Sequence, residues 1–164
     1  MIETWRDIAG FEGVYQVSDA GRVKSLPFTQ RYLLRNGKEN YRKTKEKILS
    51  TQKINSGYLI VHLHLNGVRS ARTVHSLVAN AFVAGIGKTV NHIDGNKLNN
   101  RADNLEYCNY TENHNHAVDL GLNRQAIPVR SPITGHAYPS MMRAVRAEKV
   151  SLSTVRAKFL RVTA

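Results

Sequence analysis

His92 and the polar side chains that follow it are the residues of this chain best equipped to do chemistry. The run Val90-Asn91-His92-Ile93-Asp94-Gly95-Asn96 continues through Asn104-Leu105-Glu106 to Asn113-His114-Asn115-His116. An imidazole suits proton abstraction near neutral pH, where its neutral form is well populated. Amide and carboxylate oxygens with nearby imidazoles are the ligand types that hold a divalent ion. Compact metal-dependent phosphodiester hydrolysis needs both halves, a base for water and an ion for the phosphate.

These groups need elements to position them. Residues 88–93 read as a strand carrying Asn91 and His92. Asp94-Gly95-Asn96-Lys97-Leu98-Asn99-Asn100 reads as a turn-rich loop, because Gly and Asn tolerate positive φ and bond nearby backbone. Asn104 to Cys108 reads as a second strand. Asn109 or Thr111 caps a helix running to about Leu120, with Gly121 ending it. Strand, loop, strand and helix would gather His92, Asn104, Asn113 and His116. Asn113 and His116, at i and i+3, share a helix face. Asp94 either continues the strand face or braces the loop through backbone bonds.

Upstream, Trp5 to Ser25 is punctuated by Gly10, Gly13 and Gly21, a pattern of short strands and tight turns. Residues 27–53 are basic and polar with Asn36-Gly37 as a turn signal, and read as a long exposed loop or ribbon that orders on a partner. Tyr58 to Leu65 alternates in polarity, Asn66-Gly67 is a two-residue hairpin turn, and Val68 to Val74 returns as the partner strand. His62 and His64 share a strand face and could bind a metal, but a half-exposed polar strand face is the expected explanation. Val74, Leu77, Val78, Ala81 and Phe82 have helical spacing and predict a short amphipathic helix, with His75 near its start as a structural or phosphate-facing group.

The tail reads as two short strands, 127–130 and 136–138, then two helices. Ser140 caps the first, through Ala147, and Ser151 or Ser153 caps the second, reaching Arg161. Such a pair suits a helix-turn-helix-like module presenting Arg156, Lys158 and Arg161 to a DNA groove. Met141, Met142, Val145, Val150, Leu152, Val155 and Phe159 are expected to form its core.

Charge agrees with a polyanionic partner. The 164 residues hold 24 Lys+Arg against 12 Asp+Glu, a formal +12. Each phosphate neutralised releases condensed counterions, so such an excess favours nucleic acid. Residues 22–53 hold ten basic against two acidic groups, and residues 124–164 hold eight against one. Between them the chain is nearly neutral, so two basic grips flank the histidine-rich centre. Cys108 is the single cysteine, which excludes an internal disulfide and any Cys₄ or Cys₂His₂ zinc site. The chain has no apolar run of membrane-spanning length and no secretory leader, so an intracellular setting is expected.

From Val90 to Ala117 the chain resembles the HNH nuclease motif in its ββα-metal form, as found in bacteriophage and intron-borne homing endonucleases. The resemblance rests on Asn-His-Ile-Asp-Gly-Asn-Lys-Leu-Asn-Asn, then Asp-Asn-Leu-Glu, then Glu-Asn and His-Ala. Trp5-Arg-Asp-Ile-Ala-Gly-Phe-Glu-Gly-Val-Tyr-Gln-Val-Ser, with Gly21-Arg22-Val23, resembles the N-terminal DNA-binding module that often accompanies it. Residues 127–159 are similar to the intron-encoded nuclease repeat. The expected architecture is α+β: an N-terminal antiparallel β module with a basic insert (1–55), a ββα-metal nuclease core (56–123) and a C-terminal helix-turn-helix-like module (124–164).

The resemblance implies a site-specific endonuclease that nicks duplex DNA as a monomer, without an obligatory protein partner and without a membrane. It makes His92 the general base and gives Asn104 the task of orienting loop and histidine. Asn113 falls on a metal-binding position, with Asn91 and His116 as further ligands and His114 nearby. One Mg²⁺ (or Mn²⁺) per site would bind a phosphate oxygen and stabilise the leaving 3′ oxygen. Arg22, Lys24, Arg31, Lys43, Lys45, Arg156, Lys158 and Arg161 are the candidate DNA contacts. Asn91 departs from the pattern, since an aspartate often stands there. An amide brings no negative charge, so metal affinity should be weaker. A DNA-binding protein that keeps the scaffold with weak or lost cleavage is therefore the alternative.

Overall fold

The computed structural model describes residues 2–123 and 125–162, and the chain divides into two compact units, Met1–Cys108 and Asn109–Ala164. Arg124, one of the tail's basic residues, lies outside the described residues. Both units mix short antiparallel sheets with helices, so the fold is α+β.

The first unit begins with β1 (Trp5–Asp7), β2 (Tyr15–Ser18) and β3 (Val23–Ser25), paired in order. Next come β4 (Thr29–Leu33), β5 (Glu39–Lys43), β6 (Lys47–Ile48) and β7 (Gln52–Lys53). The basic insert is a ribbon: β4 and β5 pair with each other alone, and every residue of β5 is exposed. Its turn sits at Asn36-Gly37 as expected, where Gly37 takes a φ of +76° that a side chain would resist. The ribbon forms within the chain itself. β6 then returns to the free edge of β3.

β8 (Leu59–Leu65) and β9 (Val68–Thr73) form the expected hairpin, with β7 on the outer edge of β8. Asn66 and Gly67 both adopt positive φ, at 51° and 77°, as a type I′ turn requires. α1 (Val74–Phe82) follows directly and buries Val74, Leu77, Val78 and Ala79. Together with Ile8, Tyr15, Val17, Val23, Val61, Leu63 and Leu105, the first three of these make one apolar cluster. The N-terminal sheet, the hairpin and α1 thus share a core with the strand pair that bears His92.

That pair is β10 (Thr89–His92) against β11 (Leu105–Cys108), with the 3₁₀ turn Ala102–Asn104 before β11. Its loop is pinned to the N-terminal sheet. The Ala102 N–H donates to the Asp19 carbonyl at 2.8 Å. Gly21, at φ +83°, lies so close that a Cβ there would stand 2.9 Å from the Asn100 carbonyl oxygen. Only glycine permits both the conformation and the approach.

In the second unit, α2 (Tyr110–Asp119) starts at Asn109 with a capping box: Asn109 accepts from the Glu112 N–H, and Glu112 accepts from the Asn109 N–H. β12 (Val129–Arg130) and β13 (Ala137–Tyr138) precede α3 (Met141–Glu148) and α4 (Leu152–Lys158). Ser140 and Ser151 cap these helices, each accepting from the N–H three residues on. Lys149, left-handed at φ 54°, ends α3.

Two expectations change here. The second tail helix stops at Lys158, because Leu160 and Arg161 form β14 (Leu160–Arg161) and pair with Arg130 and Val129. Phe159 takes an extended backbone and is buried in the core. Arg161 is therefore a strand residue. Met142 is half exposed and is no core residue: Val129, Ala144, Val155 and Phe159 are buried, with Tyr138, Met141, Val145 and Val150 against them.

Candidate active site

The loop after His92 is closed by one backbone turn and by a series of bonds from Asn and Asp side chains, the reason for its Asn and Asp content. The Gly95 N–H donates to the His92 carbonyl at 2.9 Å, and the Asn96 N–H donates to Asp94 Oδ1 at 2.8 Å. The Leu98 N–H donates to Asn96 Oδ1 at 3.1 Å. Asn104 closes the loop from the far side. Its Oδ1 accepts from the Asp94 N–H at 3.0 Å, and its Nδ2 donates to Asp94 Oδ1 and the Asn99 carbonyl, both at 2.9 Å.

Asp94 braces the loop, the second of the two roles open to it. Hydrogen bonds from the Asn99 and Asn104 amides and from the Asn96 N–H hold its carboxyl below the ordinary aspartate value. It stays ionised through the neutral range.

His92 is 4% exposed. Its ring stacks on Tyr58 at 6.0 Å between centroids and meets His75 edge-on at 5.3 Å. Its Nε2 lies 3.1 Å from Asn100 Oδ1. Asn104 was expected to orient both the loop and the histidine. Its hydrogen bonds go to the loop, and the ring's partner is the Asn100 side-chain oxygen, which accepts. Burial, and then the charges of His92 and Lys97, push His75 down to about 4, so it is neutral beside His92. Lys97 brings positive charge to the rim: its Nζ donates to the Ser56 carbonyl at 2.9 Å and sits 4.5 Å over the Tyr58 ring.

Residues 3–64 match the NUMOD4 motif, and residues 72–115, which contain His92 and its loop, match the HNH endonuclease model. Over those residues the chain is similar to the HNH endonucleases. It is 35% identical over 126 residues to the HNH endonuclease L245 of Acanthamoeba polyphaga mimivirus, 76% of this chain and 32% of that one. It is 34% identical over 119 residues to the DNA endonuclease I-HmuI of Bacillus phage SP01, 71% of this chain and 59% of that one. The chain thus spans about a third of the length of the mimivirus relative. The fold is also that of the HNH homing endonuclease I-HmuI in a structure concerned with its DNA binding and cleavage. The TM-score is 0.58 at 26% identity, over 98% of this chain and 99% of that one.

HNH nucleases are in general divalent-metal dependent. Asn91, on β10, stands directly opposite Glu106 on β11, and its Nδ2 donates to Glu106 Oε1 at 2.8 Å. An amide and a carboxylate side by side suit a hard, oxygen-seeking cation in kind. Among the described residues no three His, Cys, Asp or Glu side chains cluster as a metal cage. Asn113 and His116 lie on α2 in the second unit, both half-buried, with His114 exposed between them.

The expected DNA contacts differ in availability. Arg22 is ion-paired with Glu3, Lys24 with Glu46 at 3.2 Å, and Arg31 with Glu39 at 2.6 Å across the ribbon. Lys43 and Lys45, at the end of the ribbon, are exposed. In the second unit Arg156 and Lys158 are exposed on α4 and Arg161 on β14. A cleft of about 510 Å³ there brings Arg143, Arg146 and Arg156 alongside His114 of α2. No described helix is long and apolar enough to cross a membrane.

Proposed function

We propose that this chain is a site-specific, divalent-metal-dependent DNA endonuclease of the homing type, with His92 as general base. The observation that carries the reading is a buried histidine, held by a hydrogen-bonded asparagine loop, within the residues that match the HNH endonuclease family. In this mechanism His92 takes the proton from the attacking water. Asn104 positions the histidine's loop by locking Asp94 and Asn99. Lys43 and Lys45 on the ribbon, and Arg156, Lys158 and Arg161 in the second unit, hold the phosphate backbone, with Arg22, Lys24 and Arg31 as lesser contacts because each has an acidic partner.

A bound Mg²⁺ or Mn²⁺ ion supplies Lewis-acid stabilisation of the leaving 3′ oxygen. Asn91 would hold it, and Glu106 beside it adds the negative charge that Asn91 lacks. Asn113 and His116 belong to the proposed ligand set on the strength of the motif. A single site acting alone cuts one strand, so nicking is the proposed outcome.

The test is supercoiled plasmid and candidate target duplexes incubated with Mg²⁺, Mn²⁺ or EDTA. Nicked product with either metal, lost in EDTA and reduced at least about 100-fold in His92→Ala, is expected. Equal cutting by wild type and His92→Ala would overturn the mechanism. Asn91 supports a second reading, a DNA-binding protein that keeps the scaffold with weak cleavage. Tight, salt-dependent duplex binding without metal-dependent product would favour it.

A further inference from the structure

Asn100 makes a pair of bonds whose direction is decided by chemistry. Its Nδ2 donates to the Leu98 carbonyl at 3.2 Å. A carbonyl oxygen only accepts, so the amide nitrogen must face it and Oδ1 must face the His92 ring. Oδ1 also only accepts, so the ring nitrogen 3.1 Å away, Nε2, must carry the hydrogen. In a neutral imidazole the lone pair is then on Nδ1. Both side chains are 4% exposed, so water offers little competition for this bond.

The brace is itself braced. Gly21 abuts the Asn100 backbone, and Ala102, two residues on, is tied to Asp19. The N-terminal sheet thereby holds the loop that holds the ring. The other groups facing His92 are Tyr58 and His75, with Lys97 over Tyr58 and the Asp94 carboxylate two residues along.

We propose that Asn100 is a positioning residue that fixes His92 as the Nε2–H tautomer and so presents Nδ1 as the atom that takes the proton from water. The inference rests on His92 being the base, but its first measurement does not. Nitrogen-15 NMR of the ¹⁵N-histidine-labelled full chain, with His92 assigned by its loss in His92→Gln, reads the tautomer directly. A pyrrole-like Nε2 and a pyridine-like Nδ1 in the neutral ring are expected. The reverse pattern, or an even mixture, overturns the proposal without using any variant of Asn100.

Asn100→Leu removes the acceptor. The expected results are a mixed His92 tautomer and a cleavage kcat lowered about 10-fold with DNA affinity retained. Unchanged tautomer and kcat would show that Asn100 does not set the ring. Should Asn100→Leu fail to fold, Asn100→Asp serves instead. Its carboxylate still accepts from the ring, so the neutral His92 of this variant is expected to keep Nε2–H in the same nitrogen-15 spectrum. A mixed or reversed tautomer in this variant overturns the proposal. If wild type has Nε2–H and yet His92→Ala still cuts, the base assignment fails while the tautomer stands.

Discussion

Asn91 and Glu106 face each other across β10 and β11, joined by an amide-to-carboxylate hydrogen bond of 2.8 Å. The carboxylate that Asn91 lacks is therefore present one strand away. Replacing Asn91 with Asp puts two carboxylates directly opposite, and like charges at such a pair destabilise by roughly 0.5–1 kcal/mol. Asn91→Asp should melt below wild type in EDTA and recover, or exceed it, in Mn²⁺. Calorimetric titration should show tighter Mn²⁺ binding than in wild type. A variant with no metal-dependent change in melting or affinity would remove this position from the metal site.

Asn104 spends both ends of its amide on the loop. Asn104→Ala deletes three hydrogen bonds at a buried position, including two to Asp94. A loss of roughly 2–3 kcal/mol in urea unfolding is expected, since partners are left unmet around a cavity. The Asp94 carboxyl also loses one of its stabilising donors, so Asp94 should titrate higher than in wild type, which carboxyl carbon-13 NMR can follow. Loss of activity without either change would mean that Asn104 acts elsewhere than on the loop.

Much of this was legible in the residues. Asn66-Gly67 announced its hairpin, Val74 to Phe82 its helix, and Asn109, Ser140 and Ser151 their caps, because local chemistry alone decides those features. Asn100 was not legible. In an asparagine-rich loop every Asn has a turn-forming explanation, and only the fold says which one reaches the His92 ring. Glu106 was hidden likewise, since pairing with Asn91 depends on the register between strands separated by a 12-residue connection. The β14 pairing that ends α4 at Lys158 is non-local too, joining Arg130 to Leu160.

The ribbon gives a prediction about DNA binding. Lys43 and Lys45 are exposed, whereas Arg31 is paired with Glu39 across the ribbon. Each lysine that neutralises a phosphate contributes about 0.9 to the slope of log affinity against log salt. Lys43→Ala with Lys45→Ala should weaken duplex binding and flatten that slope by roughly 2, in fluorescence anisotropy over a salt series. Arg31→Ala should change it less, because the Glu39 carboxylate already occupies the Arg31 guanidinium. An unchanged slope in the double variant would place the ribbon off the DNA.

His75 should make stability pH-dependent in a window set by its burial. Folding pushes it down from the ordinary 6.5 to about 4, first by desolvation and then by the charges of His92 and Lys97. Between those values the unfolded chain binds a proton that the folded chain refuses, so stability rises with pH there. The contribution is complete above about 6.5, falls as the pH drops, and is fully lost below about 4. The ring is only half-buried, so solvent screening limits the effect to about 1–2 kcal/mol. His75→Phe keeps a ring against Tyr58, 4.7 Å away in the native pair, and removes the titration. Chemical denaturation at pH 4, 5, 6 and 7 should show a shallower loss of stability on acidification for this variant. Parallel curves for the two proteins would mean that protonated His75 is tolerated beside His92.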